Sequence, residues 1–448
     1  MTFVAPAIAG LRANPVLRPF KHRNYRLWFV GQSISGIGTW MQMVAQSWLV
    51  LSLTGDPFMM GVVAAAQYSP VLVFGLFGGL VADGLPKRRV LLTTQSIFGA
   101  LALVLWALSA SDTVQAWHVV LVAFGFGLAN SMDMPTRNSF SVEMVGREDV
   151  ANAVAMNSAL FNAARIVGPA VAGLTIGLFG VSIAFLLNGI SYLAVIGGLF
   201  LMRQQELNSP PTIARPESVR AVVASLGEGL GYVRRTPLVL LCVVLVGTVA
   251  TFGMNFTVLI PALARDVLGT DAAGYGFLMS ASGLGALIAA LRIASQKRSR
   301  LMLIGIGGLI LGSMEVLLGF SRIYPLSWLA MLIIGFGSVS MTATSNATVQ
   351  LRVPDQLRGR VMSVYMTIFV GSTPIGSLIV GAIASRLGTD IAVSFGGAVS
   401  AAAALYATVW LRRHLAEEQR TRHELESAEP HGALETRPPD GQPVTSPG

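Results

Sequence analysis

Cysteine, lysine and histidine are all scarce in this chain of 448 residues, and each scarcity excludes something. The single cysteine, Cys242, stands in an apolar run, so neither an intrachain disulfide nor a cysteine cluster can form. The three lysines are Lys21, Lys87 and Lys297, and none closes a Gly-x4-Gly-Lys-Ser/Thr loop, so no ATPase loop of that kind is present. The histidines (His22, His118, His414, His423 and His431) lie outside the apolar runs or at their ends. No HExxH or GxSxG motif accompanies them, so a membrane protease lacks its parts, and neither catalytic residues nor metal ligands are expected. Charge is scarce too: charged residues make up 12%, about half the share of an ordinary soluble domain. The net charge of +9 would suit a nucleic-acid binder, but the basic residues sit in short loops between apolar runs rather than on one folded face.

What is abundant is apolar surface. Hydrophobic residues make up 53%, with 48 glycines, and the mean hydropathy is +0.65. A dozen spans of about 20 residues need about 240 apolar positions, which the chain can supply. Apolar runs between turn and charge breaks predict twelve spans, at 27–51, 58–82, 90–110, 117–136, 153–178, 182–202, 238–262, 274–293, 301–320, 327–347, 361–386 and 391–411. The first of these is expected to be retained, since the N-terminus shows no cleavable-signal pattern. With the N-terminus inside, 27 of the 31 basic residues fall in inward segments and three (Arg265, Arg322 and Arg386) in outward loops. That split obeys the positive-inside rule and predicts two cytoplasmic termini in an inner-membrane protein. The expected organisation is a cytoplasmic segment 1–26, a six-helix half 27–202, a cytoplasmic linker 203–237, a second six-helix half 238–411 and a disordered cytoplasmic tail 412–448. The expected fold is an all-α membrane protein of twelve transmembrane helices in two six-helix pseudo-repeats.

Two internal matches support the repeat. Asp56 and Gly61, after span 1, recur as Asp271 and Gly276 after span 7. GPAVAG at 168–173 recurs as GSLIVG at 376–381, at nearly the same shift. Parallel six-span repeats are one construction of secondary transporters.

The loop after span 2 reads GGLVADGLPKRRVLL, placing Gly79, Asp83, Lys87, Arg88 and Arg89 in a Gly-x3-Asp-x3-basic-basic spacing. Gly79 lets two helices approach, and Asp83 can face a neighbouring helix N-terminus. A solvated, charged turn is the alternative. Here the sequence resembles the major facilitator superfamily, whose signature loop has this pattern, although Pro86 stands where the family has a glycine. Gly168, Pro169 and Gly173 in span 5 are similar to the helix-bend motif of that superfamily's exporters, with Ala164 and Ala172 where glycines are usual. The motif implies either a packed, proton-tight interface or an ordinary kinked helix. Pro135 and Arg137 after span 4, and Pro354, Asp355, Arg358, Gly359 and Arg360 before span 11, resemble the branch that contains the enterobactin exporter and macrolide-efflux carriers. That resemblance covers about residues 15–412. It implies a cytoplasmic ion-pair network of Asp83, Asp133, Arg137, Asp355, Arg358 and Arg360 that closes in one state. Glu143, Arg147 and Glu148 are expected to be solvated loop charges.

Arg165 lies about twelve residues into span 5, where an arginine costs about 2.5–3.5 kcal/mol to insert. The other intramembrane acids are Asp133, nearer the cytoplasmic end, and Glu315, in a span that the family fold puts in the outer ring and expected to snorkel outward or pair locally rather than carry protons. Neither suits as a partner, so Arg165 has two open roles: a substrate or gating contact, or a structural bond. By the family fold, the substrate or coupling candidates are Gln42, Gln46, Tyr68, Asn130, Asn157, Asn162, Asn255, Asn346 and Tyr365, with Gln67 beside them. The resemblance implies export of a small organic molecule (drug, siderophore or other secondary metabolite) by proton antiport. No cofactor is expected, the proton gradient being the energy source. The expected partners are the lipid bilayer and the substrate, with no nucleic acid and a monomeric carrier. Uptake, or a proton-independent carrier on the same fold, is the alternative.

Overall fold

The computed structural model describes residues 15–208, 219–295 and 301–428, except for the side chains of 15–16, 76–83, 219–223, 418–419 and 421–428. Among the described residues the chain is helical throughout. After a short 3-10 turn at Pro15–Lys21 come α1 (Arg23–Thr54), α2 (Pro57–Gly84), α3 (Lys87–Ala110), α4 (Ala116–Phe179) and α5 (Val181–Leu201). The second part begins with α6 (Val219–Arg235), followed by α7 (Pro237–Phe252), α8 (Phe256–Ala262), α9 (Ala272–Ala294) and α10 (Met302–Phe320). It ends with α11 (Tyr324–Arg352), α12 (Asp355–Leu387) and α13 (Thr389–Ala428). Among the described residues, ten helices are long and apolar enough to cross a membrane.

Local signals explain the breaks. α1 stops at Gly55, whose φ of 65° directs its N–H back to the carbonyl of Leu51. α2 starts on an Asp56 carboxylate that accepts from the Phe58 amide at 2.9 Å, with Pro57 in the first turn. α9 starts the same way, with Asp271 accepting from the Gly274 amide at 3.0 Å.

Three differences from expectation have physical causes. The polar stretch 137–152 is helical, and α4 runs 64 residues with its one non-helical residue at Gly146 (φ 74°). One face of that stretch is apolar: Phe140, Met144 and Val145 bury against Tyr25, Trp28 and Leu91, which holds it helical despite its charges. Span 7 is interrupted: α7 ends at Phe252, α8 begins at Phe256, and a π-helical turn follows at Leu263–Val267. Finally, α13 continues past 412 to Ala428, because no glycine or proline intervenes to stop it; residues 429–448 of the expected tail lie outside the described residues.

Packing follows pairs. α1 lies against α4 and α5, α2 against α4, and α3 against α5; later in the chain α9 packs on α11, and α10 on α11 and α13. The helices before residue 202 meet those after residue 236 along α2 with α12 and α4 with α9. The outer faces carry exposed apolar side chains such as Leu121, Leu193, Phe200, Val244 and Tyr406, as a lipid-facing surface requires.

Candidate functional site

The two internal sequence matches meet in space. At one crossing, a Cβ on Gly61 of α2 would stand 2.3 Å from the Ser377 carbonyl of α12, and one on Gly381 would stand 3.0 Å from the Pro57 carbonyl. At the other, a Cβ on Gly276 of α9 would stand 2.3 Å from the Pro169 carbonyl of α4, and one on Gly173 2.8 Å from the Ala272 carbonyl. The span-2 motif thus packs on GSLIVG, and its counterpart on GPAVAG. Only glycine allows backbones to approach this closely. Pro169 has no N–H to bind the Arg165 carbonyl four residues back, and that carbonyl lies against Gly283 of α9.

The hydrogen bonds described between these two groups of helices accompany the crossings. Ser377 donates its hydroxyl to the Gly61 carbonyl at 3.1 Å and Ser280 to Ile166 at 2.7 Å, and Arg265 donates to the Leu51 carbonyl at 3.0 Å. Trp48 stacks on Tyr275 with ring centroids 6.2 Å apart. These contacts gather at mid-bundle and toward the end that carries Gly55 and Gly269, opposite the basic end that carries Lys87, Arg88 and Arg360.

At the basic end the expected ion-pair network divides into separate sets. Asp133, 1% exposed, accepts from Thr94 (2.7 Å), Gln95 (2.8 Å) and the Arg137 guanidinium (2.5 and 3.1 Å). Arg137 also donates to Gln32 at 2.7 Å and lies over the Trp28 ring. Asp355 pairs with Arg358 within α12, Arg358 also donates to the Gln350 carbonyl, and Arg360 pairs with Glu228 of α6. A Cβ on Gly359 would meet open space. In this structure no ion pair described joins the two groups: Arg137 is held by Asp133, Arg358 by Asp355 and Arg360 by Glu228. The side chains of Gly79 and Asp83 lie outside the described residues.

Lys87 is buried against Glu143 at 2.7 Å, so Glu143 is a paired group and not a solvated charge. Arg88 donates to the Leu199 and Phe200 carbonyls at the end of α5, as a cation at a helix C-terminus should. Asp149, just past the Gly146 break, accepts from Lys21 at 2.6 Å and His22 at 3.0 Å. Burial disfavours its charged form, but the bonds and charges of Lys21 and His22 outweigh burial and hold the carboxyl below the usual range.

A narrow cleft of about 20 Å³ lies between α1, α2 and α8, lined by Met43, Met60, Gln46, Gln67, Tyr68 and Thr257 among others. Gln46 donates to Gln67 at 3.2 Å across it. Other candidates tie helices together instead. Gln42 accepts from Asn188 at 2.5 Å, Asn157 bridges Tyr25 and Ser141, and Tyr365 reaches the Thr342 carbonyl at 3.5 Å. Asn162 bonds its own helix at Ser158 and Asn346 accepts from Gln350, while Asn130 is half-buried.

Arg165 is half-buried, and its guanidinium lies 5.9 Å from the centre of the Trp40 ring. Trp40 in turn meets Phe161 edge-on at 5.6 Å and packs at Gly168, where a Cβ would stand 2.4 Å from the tryptophan Cβ. A search for opposite charge misses such a partner; the aromatic at position 40 in the facing span was its one sequence signal. Glu315 also departs from expectation. It is 4% exposed and turned into the bundle, not outward. Among the described residues no group of His, Cys, Asp and Glu is placed to hold a metal ion.

A family model described as transmembrane secretion effector matches residues 14–441. The chain is 29% identical over 366 residues to the multidrug efflux pump Tap of Mycolicibacterium fortuitum, covering 79% of this chain and 87% of that protein. It is 22% identical to macrolide efflux protein A of Streptococcus pyogenes, covering 83% and 91%. Its fold matches the crystal structure of a bacterial homologue of the lysosomal transporter Spinster in an inward-facing, unoccupied conformation, with a TM-score of 0.65 at 11% identity over 86% of this chain and 95% of that one.

Proposed function

The chain belongs to the transmembrane secretion effector family of the major facilitator superfamily, a family of non-enzymatic transporters, and on that premise we propose that it exports a small, largely apolar organic molecule in exchange for protons. The layout we propose has twelve spans in two six-helix halves. The ten apolar helices become twelve when α1 is included and α4 is divided at Gly146. The halves are 27–202 and 238–411, joined by the linker 203–237. The basic end is cytoplasmic by the positive-inside rule, in an inner membrane, and the carrier works as a monomer.

The observation that carries this reading is the pair of equivalent glycine crossings, α2 on α12 and α4 on α9, each with a backbone carbonyl 2.3 Å from a would-be Cβ. They hold the outer end together, while at the basic end Arg137 is bound to Asp133, Arg358 to Asp355 and Arg360 to Glu228 of the linker, with none of these pairs crossing between the halves. That is the inward-open member of a rocking pair, and alternating access follows if the crossings separate. The cleft supports the substrate class. In the proposed cycle it widens to take the substrate: methionines adapt to varied apolar shapes, and the glutamine pair and Tyr68 supply orientation.

The test is flux into inverted membrane vesicles across a panel of drugs and siderophores. Accumulation that a protonophore abolishes is expected. Accumulation only in right-side-out vesicles would make the carrier an importer. Accumulation unaffected by the protonophore would make it independent of protons.

A further inference from the structure

Away from the cleft, a second small cavity lies between the α7–α8 interruption, α10 and α13. Phe252, Gly253, Asn255, Phe256 and Leu318 line it, and Glu315 is its one ionisable side chain. Two side-chain oxygens in it, Glu315 Oε2 and Asn255 Oδ1, and a third beside Gly253, Ser400 Oγ, have no hydrogen-bond partner. All three residues are buried, at 4%, 3% and 0% exposure. Leaving three such atoms unpaired inside a membrane bundle is costly, so the arrangement needs an occupant or a second state. Gly253 makes the space. A Cβ there would stand 2.6 Å from Ser400 Oγ and 3.1 Å from Glu315 Oε2.

The two flanking groups serve opposite protonation states. The Asn255 amide nitrogen is committed to the Thr251 carbonyl at 2.7 Å, which leaves Oδ1 free as an acceptor. A carboxylic acid has an O–H to give it; a carboxylate has none and needs a donor, and the unpartnered Ser400 hydroxyl is the donor at hand. Asn255 sits in the interruption of span 7, and the adjoining residues 255–257 face two ways. Asn255 and Phe256 line the Glu315 cavity, whereas Thr257 lines the cleft. The other charges on the packed elements are engaged or distant: Arg322 and Asp390 pair at 2.8 Å toward the outer end, Arg265 pairs with Asp266, and Arg352, Arg412 and Arg413 lie at the basic end. α7 and α8 carry none.

We propose that Glu315 is the acid that carries the coupled proton, and that the Gly253–Asn255 interruption relays its protonation to the cleft. This rests on the proton-antiport reading. A proton from water adds to the Glu315 carboxylate, giving a neutral acid that donates to Asn255 and steadies the interruption. When the proton leaves to water, the carboxylate turns to Ser400 and frees Asn255 and the first turn of α8.

The test uses the full chain with Cys242→Ser and spin labels at Ser111 and Thr270, which flank the outer end on either side of the crossings. Distances are measured by pulsed electron resonance in lipid nanodiscs from pH 5 to pH 9, without sodium. In the parent protein the distance distribution should titrate. Glu315→Gln should be insensitive to pH, and Glu315→Asp should titrate with a displaced midpoint. Ser400→Ala removes the donor to the carboxylate and should move the midpoint up by about one pH unit; Asn255→Ala removes the acceptor from the acid and should move it down by about as much. A merely structural role would not give opposite displacements. Titration of Glu315→Gln like the parent, or displacements of the same sign, would overturn the assignment while leaving antiport standing. A parent protein that does not titrate would overturn both. A response to added sodium at fixed pH, lost in Glu315→Gln, would replace the proton by sodium and also defeat the proposal.

Discussion

A single methyl group at a glycine crossing should change which end of the carrier is open. In Gly276→Ala the new Cβ would lie 2.3 Å from the Pro169 carbonyl, with the Gly173 Cα and amide nitrogen at 3.0 and 3.1 Å. All three contacts are backbone, so no rotamer change relieves them. Ordinary contact starts near 3.4 Å, so α9 must retreat from α4 by about 1 Å. Overpacking of this kind costs about 1–3 kcal/mol. Alanine recovers up to about 1 kcal/mol of helix propensity, but does so whether the crossing is open or closed. The conformational equilibrium should therefore move by about 1–3 kcal/mol, roughly 5- to 150-fold, toward the state in which the crossing is apart. The Ser111–Thr270 distance reports this directly and should lengthen. Gly61→Ala meets the Ser377 carbonyl at the same 2.3 Å and should act alike. Gly177→Ala, in the same α4 but with nothing within 4 Å, should leave the distance unchanged. Gly276→Ala with the parent distance, or Gly177→Ala with the same lengthening, would refute the idea that these crossings are the outer gate.

Arg165→Lys keeps a cation near Trp40 but loses the planar fork; measured on the same purified protein, substrate binding should weaken while thermal stability stays within about 1 kcal/mol. Loss of both together would make Arg165 structural. Asp133→Ala leaves Thr94, Gln95 and Arg137 without their acceptor and should cost about 2–4 kcal/mol in thermal unfolding, below the usual buried-pair figure because Arg137 is 37% exposed. An unchanged unfolding midpoint would mean that the network is incidental. Asp149 is held below the usual carboxyl range by Lys21 and His22, so its contribution is complete above pH about 4 and is lost as the pH falls through the lowered value. The stability gap between the parent and Asp149→Asn should accordingly be present at pH 7 and close in strong acid; a gap that persists there would contradict the assignment.

The features legible in the sequence were those governed by one-dimensional patterns. Apolar runs locate the helices, and glycine with aspartate at a fixed shift marks Asp56–Gly61 and Asp271–Gly276, whose aspartates cap α2 and α9 and whose glycines each meet a backbone carbonyl at a helix crossing. What stayed hidden depends on which face of a helix a residue occupies and what lies opposite. The charges of 137–152 suggest a loop because the apolar stripe of Phe140, Met144 and Val145 is short, and its partners Tyr25 and Trp28 are more than a hundred residues away. The same distance hides Arg165 on Trp40, where a ring does the work sought from a carboxylate.

Glu315 shows the limit most clearly. Half a turn of α10 about its axis decides between lipid and bundle, and the glycines of GSMEVLLGF decide it only through what lies opposite them. The helix is turned by its glycines. Gly312 meets the Ala401 backbone of α13 and Gly319 meets Asp390 and Ser394, so the small-residue face of α10 presses on α13. Glu315 lies between these contacts, three and four residues from them on the same face, with Gly397 of α13 against its own Cβ. The acid is thus drawn inward by the packing of its neighbours rather than by a charge of its own seeking a partner. An acid placed by packing, with its oxygen left unpaired, is free to change protonation state without breaking an ion pair.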